Sequence, residues 1–318
     1  MRIAVIGPST DPGVSRNGVQ IFNDFLCETL RALGHEADYV PHGSYQTPGA
    51  PIRIAPGVRI SRPRLQQRYD FLILSGTRMD YAGVLSFYHC PALIWTHGQH
   101  VSPLRYWDGA ELRRPGVRYV CTNRQHFDEA KARGFEARAV MVDMPVQFTP
   151  RPVRPAGGYC VAVGTLEPRK DYARVAEIAA ALGMKTRVYG SPLSGKSRTV
   201  VDASPWLEYM GERPHEAVLD DLAGADFLIH ASHVEGRPTA VLEALGLGVP
   251  VIAPDLPLYR EFVDPKRSAL LGHGKVPAAS ELRDLRSMRN REALAAEAHA
   301  RYGTEVFKGK LAELLGKA

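Results

Sequence analysis

Long apolar runs are missing from this sequence. No segment approaches the ~18 uninterrupted apolar residues that a membrane span requires, so a chain threaded through a bilayer is not expected. The N-terminal "MRIAVIGPST" has too short an apolar run for a signal peptide and reads as a first strand. Cysteine is scarce. Cys27, Cys90, Cys121 and Cys160 are far apart with no C-x-x-C spacing, which excludes a disulfide framework and a cysteine-based zinc site. The expected reading is buried free thiols in a reducing cytoplasm. No D-x-D triplet occurs, so a carboxylate-held divalent metal carrying a diphosphate lacks its usual ligands. No H-E-x-x-H or G-x-S-x-G stretch occurs either, which removes the common zinc-hydrolase and serine-hydrolase patterns. The pairs His97/His100 and His230/His233 stand outside any Cys/His cluster, so no metal and no cofactor are expected.

What is present is ordinary in bulk. Apolar residues make up 45% of the 318 and charged residues 23%, enough for a sizeable core. The net charge is +6. The excess leans to residues 1–150, with 17 Lys and Arg against 13 Asp and Glu. "RIAPGVRISRPRLQQR" gathers Arg53, Arg59, Arg62, Arg64 and Arg68 without an acid. That patch suits phosphate, anionic lipid or nucleic acid, or is simply a solvated cationic loop.

Short apolar runs alternate with helical spacing. Strands are expected at 2–7, 37–40, 70–76, 91–98 and 117–123, and helices at 19–35 and 124–135. The stretch 141–158, with four prolines and two glycines, reads as a linker. The alternation then restarts, with strands at 159–164, 185–190 and 226–232 and helices at 171–183 and 214–225. Two α/β halves follow from this pattern, each a doubly wound, Rossmann-like domain with its ligand expected at the carboxyl ends of the strands. We place the domains at 1–150 and 151–290, with C-terminal helices over 291–318 packing back across them.

Three stretches can carry chemistry. "HVEGRPTAVLEALGLGVPVIAP" sets Glu235 in a turn, Pro238 at a helix start and Glu243 one and a half turns inside that helix. The helix start offers free N–H groups to an anion. Taken by itself, the spacing equally fits a loop acid and a solvent-facing helix acid. "GTLEPRKD" follows a strand, so Arg169 and Lys170 would sit near a ligand cleft, where a fork and a point charge suit a diphosphate. The loop 7–20 holds Gly7, Gly13 and Gly18 but matches neither dinucleotide nor P-loop spacing. His97 follows a strand, which by pattern places it at a cleft edge.

Together, "GTLEPRKD" and, about 65 residues later, "HASHVEGRPTAVLEALGLGVPVIAPDLPLYREFV" resemble the retaining glycosyltransferases of the GT-B fold, family 4. The likeness covers residues 160–265 well and the first half loosely. It implies two Rossmann-like domains facing a cleft and transfer from a nucleotide-diphosphate sugar such as a UDP- or GDP-sugar, without a metal. It implies that Arg169 and Lys170 hold the donor diphosphate and that Glu235 contacts the donor sugar. Gly164, with its strand end, Gly236, and the backbone of Arg237, Pro238, Thr239, Ala240 and Val241 would bind sugar hydroxyls and phosphate. Glu243 would bind the ribose, Gly18 would approach the phosphate or acceptor, and His97 would line the sugar site.

The sequence departs from the family pattern at Arg237 and Pro238, which leaves sugar choice open, and lacks the usual asparagine–glycine hinge. The expected acceptor is a glycan or lipid-linked sugar, with the protein cytoplasmic and in peripheral contact with the inner membrane face through the arginine patch. The alternatives are a hydroxymethylated DNA base as acceptor, with Tyr81, Phe87, Tyr88, Tyr106 and Trp107 available for stacking, and a nucleotide-binding protein without turnover.

Overall fold

The computed structural model describes residues 1–8, 18–42, 69–76, 81–97, 110–146, 148, 150–278 and 280–316. The arginine patch Arg53–Arg68, the residues Tyr106 and Trp107, and the loop positions 9–17 lie outside them. The chain forms two compact units, one of Met1–Asp143 with Phe307–Ala318 and one of Met144–Val306.

The first unit is a six-stranded sheet built from β1 (Arg2–Pro8), β2 (Glu36–His42), β3 (Phe71–Gly76), β4 (Ala92–Thr96), β5 (Val117–Cys121) and β6 (Ala139–Met141). Its order is β2-β1-β3-β4-β5-β6 with every pair parallel. Strands β3 and β4 are buried along their whole length, which is why they read as continuous apolar runs rather than alternating ones. Helix α1 (Gly18–Ala32) buries Phe22, Leu26 and Leu30 at four-residue spacing, and the chain leaves it through Gly34 at φ 83°. Helices α2 (Tyr81–Phe87) and α3 (Arg124–Ala132) complete the crossovers. The Asn123 side chain caps α3 by accepting from the His126 N–H at 2.8 Å.

The second unit repeats the plan with β7 (Cys160–Val163), β8 (Thr186–Tyr189), β9 (Leu207–Gly211), β10 (Phe227–Ile229), β11 (Val251–Pro254) and β12 (Ala269–Leu271). The order is β12-β11-β10-β7-β8-β9, again all parallel. Its helices are α4 (Tyr172–Leu182), α5 (Gly195–Ala203), α6 (His215–Ala223), α7 (Thr239–Gly246) and α8 (Met288–Tyr302). A further helix, α9 (Thr304–Gly316), returns the chain at Phe307 to the first unit. There Phe307 packs against Phe22, Phe25 and Trp95.

Both sheets are doubly wound. Strand order reverses between β1 and β3 in the first and between β7 and β10 in the second. Loops that leave neighbouring strands in opposite directions open a crevice at such a point, outside the strands' carboxyl ends. The proline-rich stretch after β6 is packed in its first part, while residues 151–158 are exposed or half-buried. Val142, Met144, Val146 and Phe148 are all buried, and the Val146 N–H donates to the Tyr302 carbonyl at 2.7 Å. Cys27, Cys121 and Cys160 are buried free thiols, their pKa pushed up to about 12 by burial, and Cys90 is half-buried. No helix of the described residues is long and apolar enough to cross a membrane.

Candidate functional site

The β7–β10 reversal gathers the charged residues of the second unit. After β7 the chain turns at Gly164, with φ 154°, and passes through a tight turn at Pro168–Lys170. It then enters α4 through Asp171, which sits in the left-handed region at φ 49° and caps the Arg174 N–H at 3.2 Å. Asp171 tolerates that backbone because its short side chain bonds locally. The turn is pinned from both sides. The Leu166 N–H donates to the Ser191 carbonyl at 2.8 Å, and the Ser194 N–H to the Leu166 carbonyl at 2.8 Å. Gly190 lies against Gly164 so closely that a Cβ there would overlap the Gly164 carbonyl.

The loop after β10 brings Glu235 to this turn. Lys170 Nζ donates to Glu235 Oε1 at 2.5 Å, and Arg169 Nη1 lies 3.0 Å from the same oxygen. Arg169 also pairs with Glu167 at 2.7 Å and donates to the Val234 carbonyl at 3.0 Å. Glu167 is held in turn by the Thr165 hydroxyl at 2.6 Å. The Glu235 side chain is only 11% exposed. Burial alone would raise its pKa. The adjacent His230 ring, the Lys170 ammonium and the Arg169 guanidinium outweigh burial and hold the carboxyl well below the usual carboxylate range. His230 Nε2 is 3.7 Å from Glu235 Oε1, beyond hydrogen-bond reach, and is buried with no hydrogen-bond partner among the described residues. Burial pushes the His230 imidazole below its ordinary value, against the pull of Glu235 and with that of Lys170.

The loop runs on to α7. Pro238 is the N-cap, and helical geometry begins at Thr239. The expectation that Pro238 takes the first helical position is therefore off by one residue, since its ψ of 105° is extended. The Val241 N–H donates to the Pro238 carbonyl at 3.1 Å. Helical geometry leaves the first N–H groups, those of Thr239 and Ala240, without an intrahelical acceptor. Glu243 falls about one turn in and is buried rather than solvent-facing, with Oε1 2.9 Å from His215 Nε2 at the start of α6. That hydrogen bond raises the His215 pKa above the ordinary value, against burial.

In the first unit, His97 follows β4 by one residue and is 8% exposed. Its Nε2 is 2.8 Å from the Ser75 hydroxyl at the end of β3. Burial, with a smaller contribution from His126, pushes its pKa down to about 3. Gly18 is the first residue of α1.

Residues 157–297 match the model of the glycosyl transferases group 1. The chain is also similar to a GDP-mannose-dependent alpha-mannosyltransferase of Mycolicibacterium smegmatis, at 26% identity over 85% of this chain and 84% of that one. Part of it is similar to O-antigen chain mannosyltransferase B of Escherichia coli, at 31% identity over 33% of this chain and 31% of that one. Among solved structures it is similar to AviGT4, a glycosyltransferase involved in avilamycin A biosynthesis, with a TM-score of 0.70 at 20% identity over 98% of this chain and 96% of that one. The match to the glycosyl transferases group 1 model falls on the second unit. The chain's fold is GT-B.

Glu235, Arg169, Lys170 and Gly164 lie together at the reversal of the second sheet. A Cβ on Gly164 would sit 3.0 Å from Lys170 Cε, so the glycine leaves room for the lysine to fold back over the strand end. Gly236 and Pro238 are buried in the same loop. Arg237 turns inward, its side chain 3% exposed and 3.8 Å from Glu261, with the guanidinium 4.5 Å from the Phe262 ring and 5.4 Å from Tyr302.

His230 and His233 share a spacing but not a partner: His233 Nε2 pairs with Asp171 at 3.1 Å. Tyr81 is a core residue whose hydroxyl donates to the Gly76 carbonyl at 2.6 Å, and Tyr88 packs half-buried against Tyr69. His215, Glu167 and Thr165 went unnoticed in the sequence. Their positions at strand and helix ends were visible, but their partners are set by the fold.

Proposed function

We propose that this glycosyltransferase transfers a hexose, with retention and without a metal, from a nucleotide-diphosphate sugar to a hydroxyl of a glycan or lipid-linked acceptor. GDP-mannose is the favoured donor, because one relative similar over most of the chain and another similar over about a third of it are named GDP-mannose-dependent alpha-mannosyltransferases. The observation that carries the reading is the convergence of Lys170, Arg169 and Glu235 at the β7–β10 reversal, one short loop before the start of α7.

The chemistry follows from charge. The sugar C1–O bond to the diphosphate breaks, and a new bond forms from C1 to the acceptor oxygen. The acceptor proton passes to the departing phosphate oxygen, so the nucleoside diphosphate leaves with one proton gained. Negative charge grows on that leaving group, and fixed cations stabilise it most in the transition state. Lys170 and Arg169 supply those cations, and the first N–H groups of α7 add the positive end of a helix. Glu235 occupies the cations while no donor is bound. A diphosphate competes for them and leaves Glu235 beside the sugar, where it accepts hydroxyl hydrogen bonds. Glu243, oriented by His215, addresses the ribose hydroxyls. In the first unit, the family likeness gives His97 a contact with a sugar and Gly18 an approach to a phosphate or the acceptor. The Arg53–Arg68 stretch supports a peripheral contact with anionic lipid at the inner membrane face.

The test is release of nucleotide from a panel that includes GDP-mannose, other GDP-sugars and UDP-sugars, with glycan and polyprenol-linked acceptors, with and without EDTA. The expected result is acceptor-dependent GDP release that survives EDTA, with the donor's anomeric configuration kept in the product by NMR. Binding of nucleotide sugars without any release would sink the enzyme reading. An inverted product would sink retention, and abolition by EDTA would sink the metal-free route.

A further inference from the structure

The reversal of the first sheet holds a buried polar relay built from α1, β3 and the end of β4. Asn23 of α1 and Ser75 of β3 are fully buried. Asn23 Nδ2 donates to the Ser75 carbonyl at 3.1 Å. The Ser75 hydroxyl donates to Asn23 Oδ1 in a short contact, and Ser75 Oγ is 2.8 Å from His97 Nε2. The backbone has been cleared for this relay, since a Cβ on Gly7, at the end of β1, would overlap Asn23 Nδ2.

The direction of each bond can be worked out from one fixed point. A backbone carbonyl only accepts, so the Asn23 group facing the Ser75 carbonyl must be the NH2 end, and the amide cannot be flipped. Asn23 Oδ1 then faces the Ser75 hydroxyl and accepts its only hydrogen. With that hydrogen committed, Ser75 Oγ offers His97 a lone pair and nothing else. His97 Nε2 must therefore carry the proton. Burial keeps the ring neutral, and a neutral imidazole protonated at Nε2 has an unprotonated Nδ1. Among the described residues Nδ1 has no hydrogen-bond partner. The ring plane is further fixed by an edge contact to Phe22, with centroids 5.4 Å apart.

We propose that Asn23 and Ser75 are positioning residues that hold His97 as the Nε2–H tautomer, so that Nδ1 accepts a hydrogen bond from a sugar hydroxyl of the substrate. His97 then acts as an acceptor that orients the sugar and not as a general acid. This functional half rests on the nucleotide-sugar reading above; the tautomer itself does not. Selection follows, because a site with a fixed acceptor favours a sugar with a hydroxyl at that place over its deoxy analogue.

The test reads the tautomer directly, by long-range proton–nitrogen correlation spectra of the full chain labelled with 15N-histidine, with His97 assigned by its loss in His97→Gln. The wild type is expected to show Nε2–H only at neutral pH. Asn23→Ala frees the Ser75 hydroxyl to donate to Nε2, and a population with the proton on Nδ1 is expected. Ser75→Ala removes the acceptor and should give a mixture of tautomers. A wild-type His97 protonated on Nδ1, or a tautomer unmoved by both substitutions, overturns the relay. The wild-type spectrum decides even if a variant fails to fold.

In kinetics, Asn23→Ala is expected to lower kcat/KM for the donor or acceptor roughly tenfold, about the worth of one hydrogen bond. The signature is a smaller loss for the deoxy analogue of the sugar than for the sugar itself, because the analogue makes no bond to Nδ1. An Nε2–H ring in the wild type together with full activity in His97→Gln would overturn the sugar contact while leaving the tautomer assignment standing. Absence of nucleotide release by the wild type on every donor would instead strike the enzyme reading.

Discussion

Lys170 Nζ sits 2.5 Å from Glu235 Oε1, a pair formed across 65 residues of chain at the line where the strand order of the second sheet reverses. Neither side chain is much exposed, and Arg169 shares the same oxygen. Such a pair is weak evidence for stability, since two charges have left water to form it. It is better evidence for a poised site, in which an incoming anion can displace a carboxylate already held in place.

Removal of Lys170 is therefore expected to act in two ways. Lys170→Ala should lower kcat by roughly 10² or more, the scale seen when one donor to a developing anion is lost. It should also weaken acid resistance. The Glu235 pKa is depressed in the fold, so its contribution to stability is present above the unfolded value, about 4.3, and is lost as pH falls through the folded value. Without Lys170 that folded value rises, and the acid unfolding midpoint followed by circular dichroism should move to higher pH. An unchanged midpoint and an unchanged kcat together would show that the pair is ornamental.

His215 gives the opposite sign. Its pKa is raised, chiefly by the hydrogen bond to Glu243, so the stability it adds is fully present below the unfolded imidazole value, about 6.5, and is lost as pH rises through the folded value. The melting temperature of the wild type should therefore drop, relative to His215→Gln, as pH is raised from about 6.5. Arg151 and Glu216 face the same ring and modify the window in opposite senses. Donor affinity should weaken in Glu243→Ala, measured by calorimetry with the nucleotide alone. Parallel melting curves for wild type and His215→Gln would remove the pair from the account.

How much of this was legible beforehand depended on whether a residue's partner lay nearby in the chain. The alternation of strands and helices was readable because β3, β4 and α1 carry their burial pattern locally. "GTLEPRKD" was readable because a glycine strand end followed by two cations is a local feature. Helix α5 was not, for it buries little beyond Ser197 and Val201 and so shows no apolar stripe. The three-residue strands β6 and β12 were too short to declare themselves. Asn23 reads in sequence as a polar break in the buried face of α1, and only the fold supplies Ser75, 52 residues away. The Glu243 partner is likewise 28 residues distant.

The turn that carries Arg169 and Lys170 depends on Gly190. At φ 147° a side chain is strained, and a Cβ would overlap the Gly164 carbonyl. Gly190→Ala should cost ~2 kcal/mol or more in urea unfolding, from strain and overlap together. Because Gly164 must shift, donor KM should rise more than the stability loss alone explains in enzyme assayed well below its melting temperature. A loss in stability with unaltered KM would mean that the turn tolerates the displacement.

Arg237 stands between the two glutamates in sequence, yet its side chain lies inside, stacked on Phe262 and Tyr302 and facing Glu261. A planar guanidinium can stack on two rings and reach a carboxylate at once; an ammonium cannot. Arg237 thus ties the Glu235 loop to the last residue of α8 and to the segment after β11. Arg237→Ala should destabilise the protein by about 1–2 kcal/mol through the lost stacking, and Arg237→Lys should restore less than half of that. Since the tie holds the loop and does not point at a ligand, donor KM should rise while the preference among hexoses stays as in the wild type. A changed sugar preference in Arg237→Lys, with stability intact, would place the guanidinium in the sugar site instead.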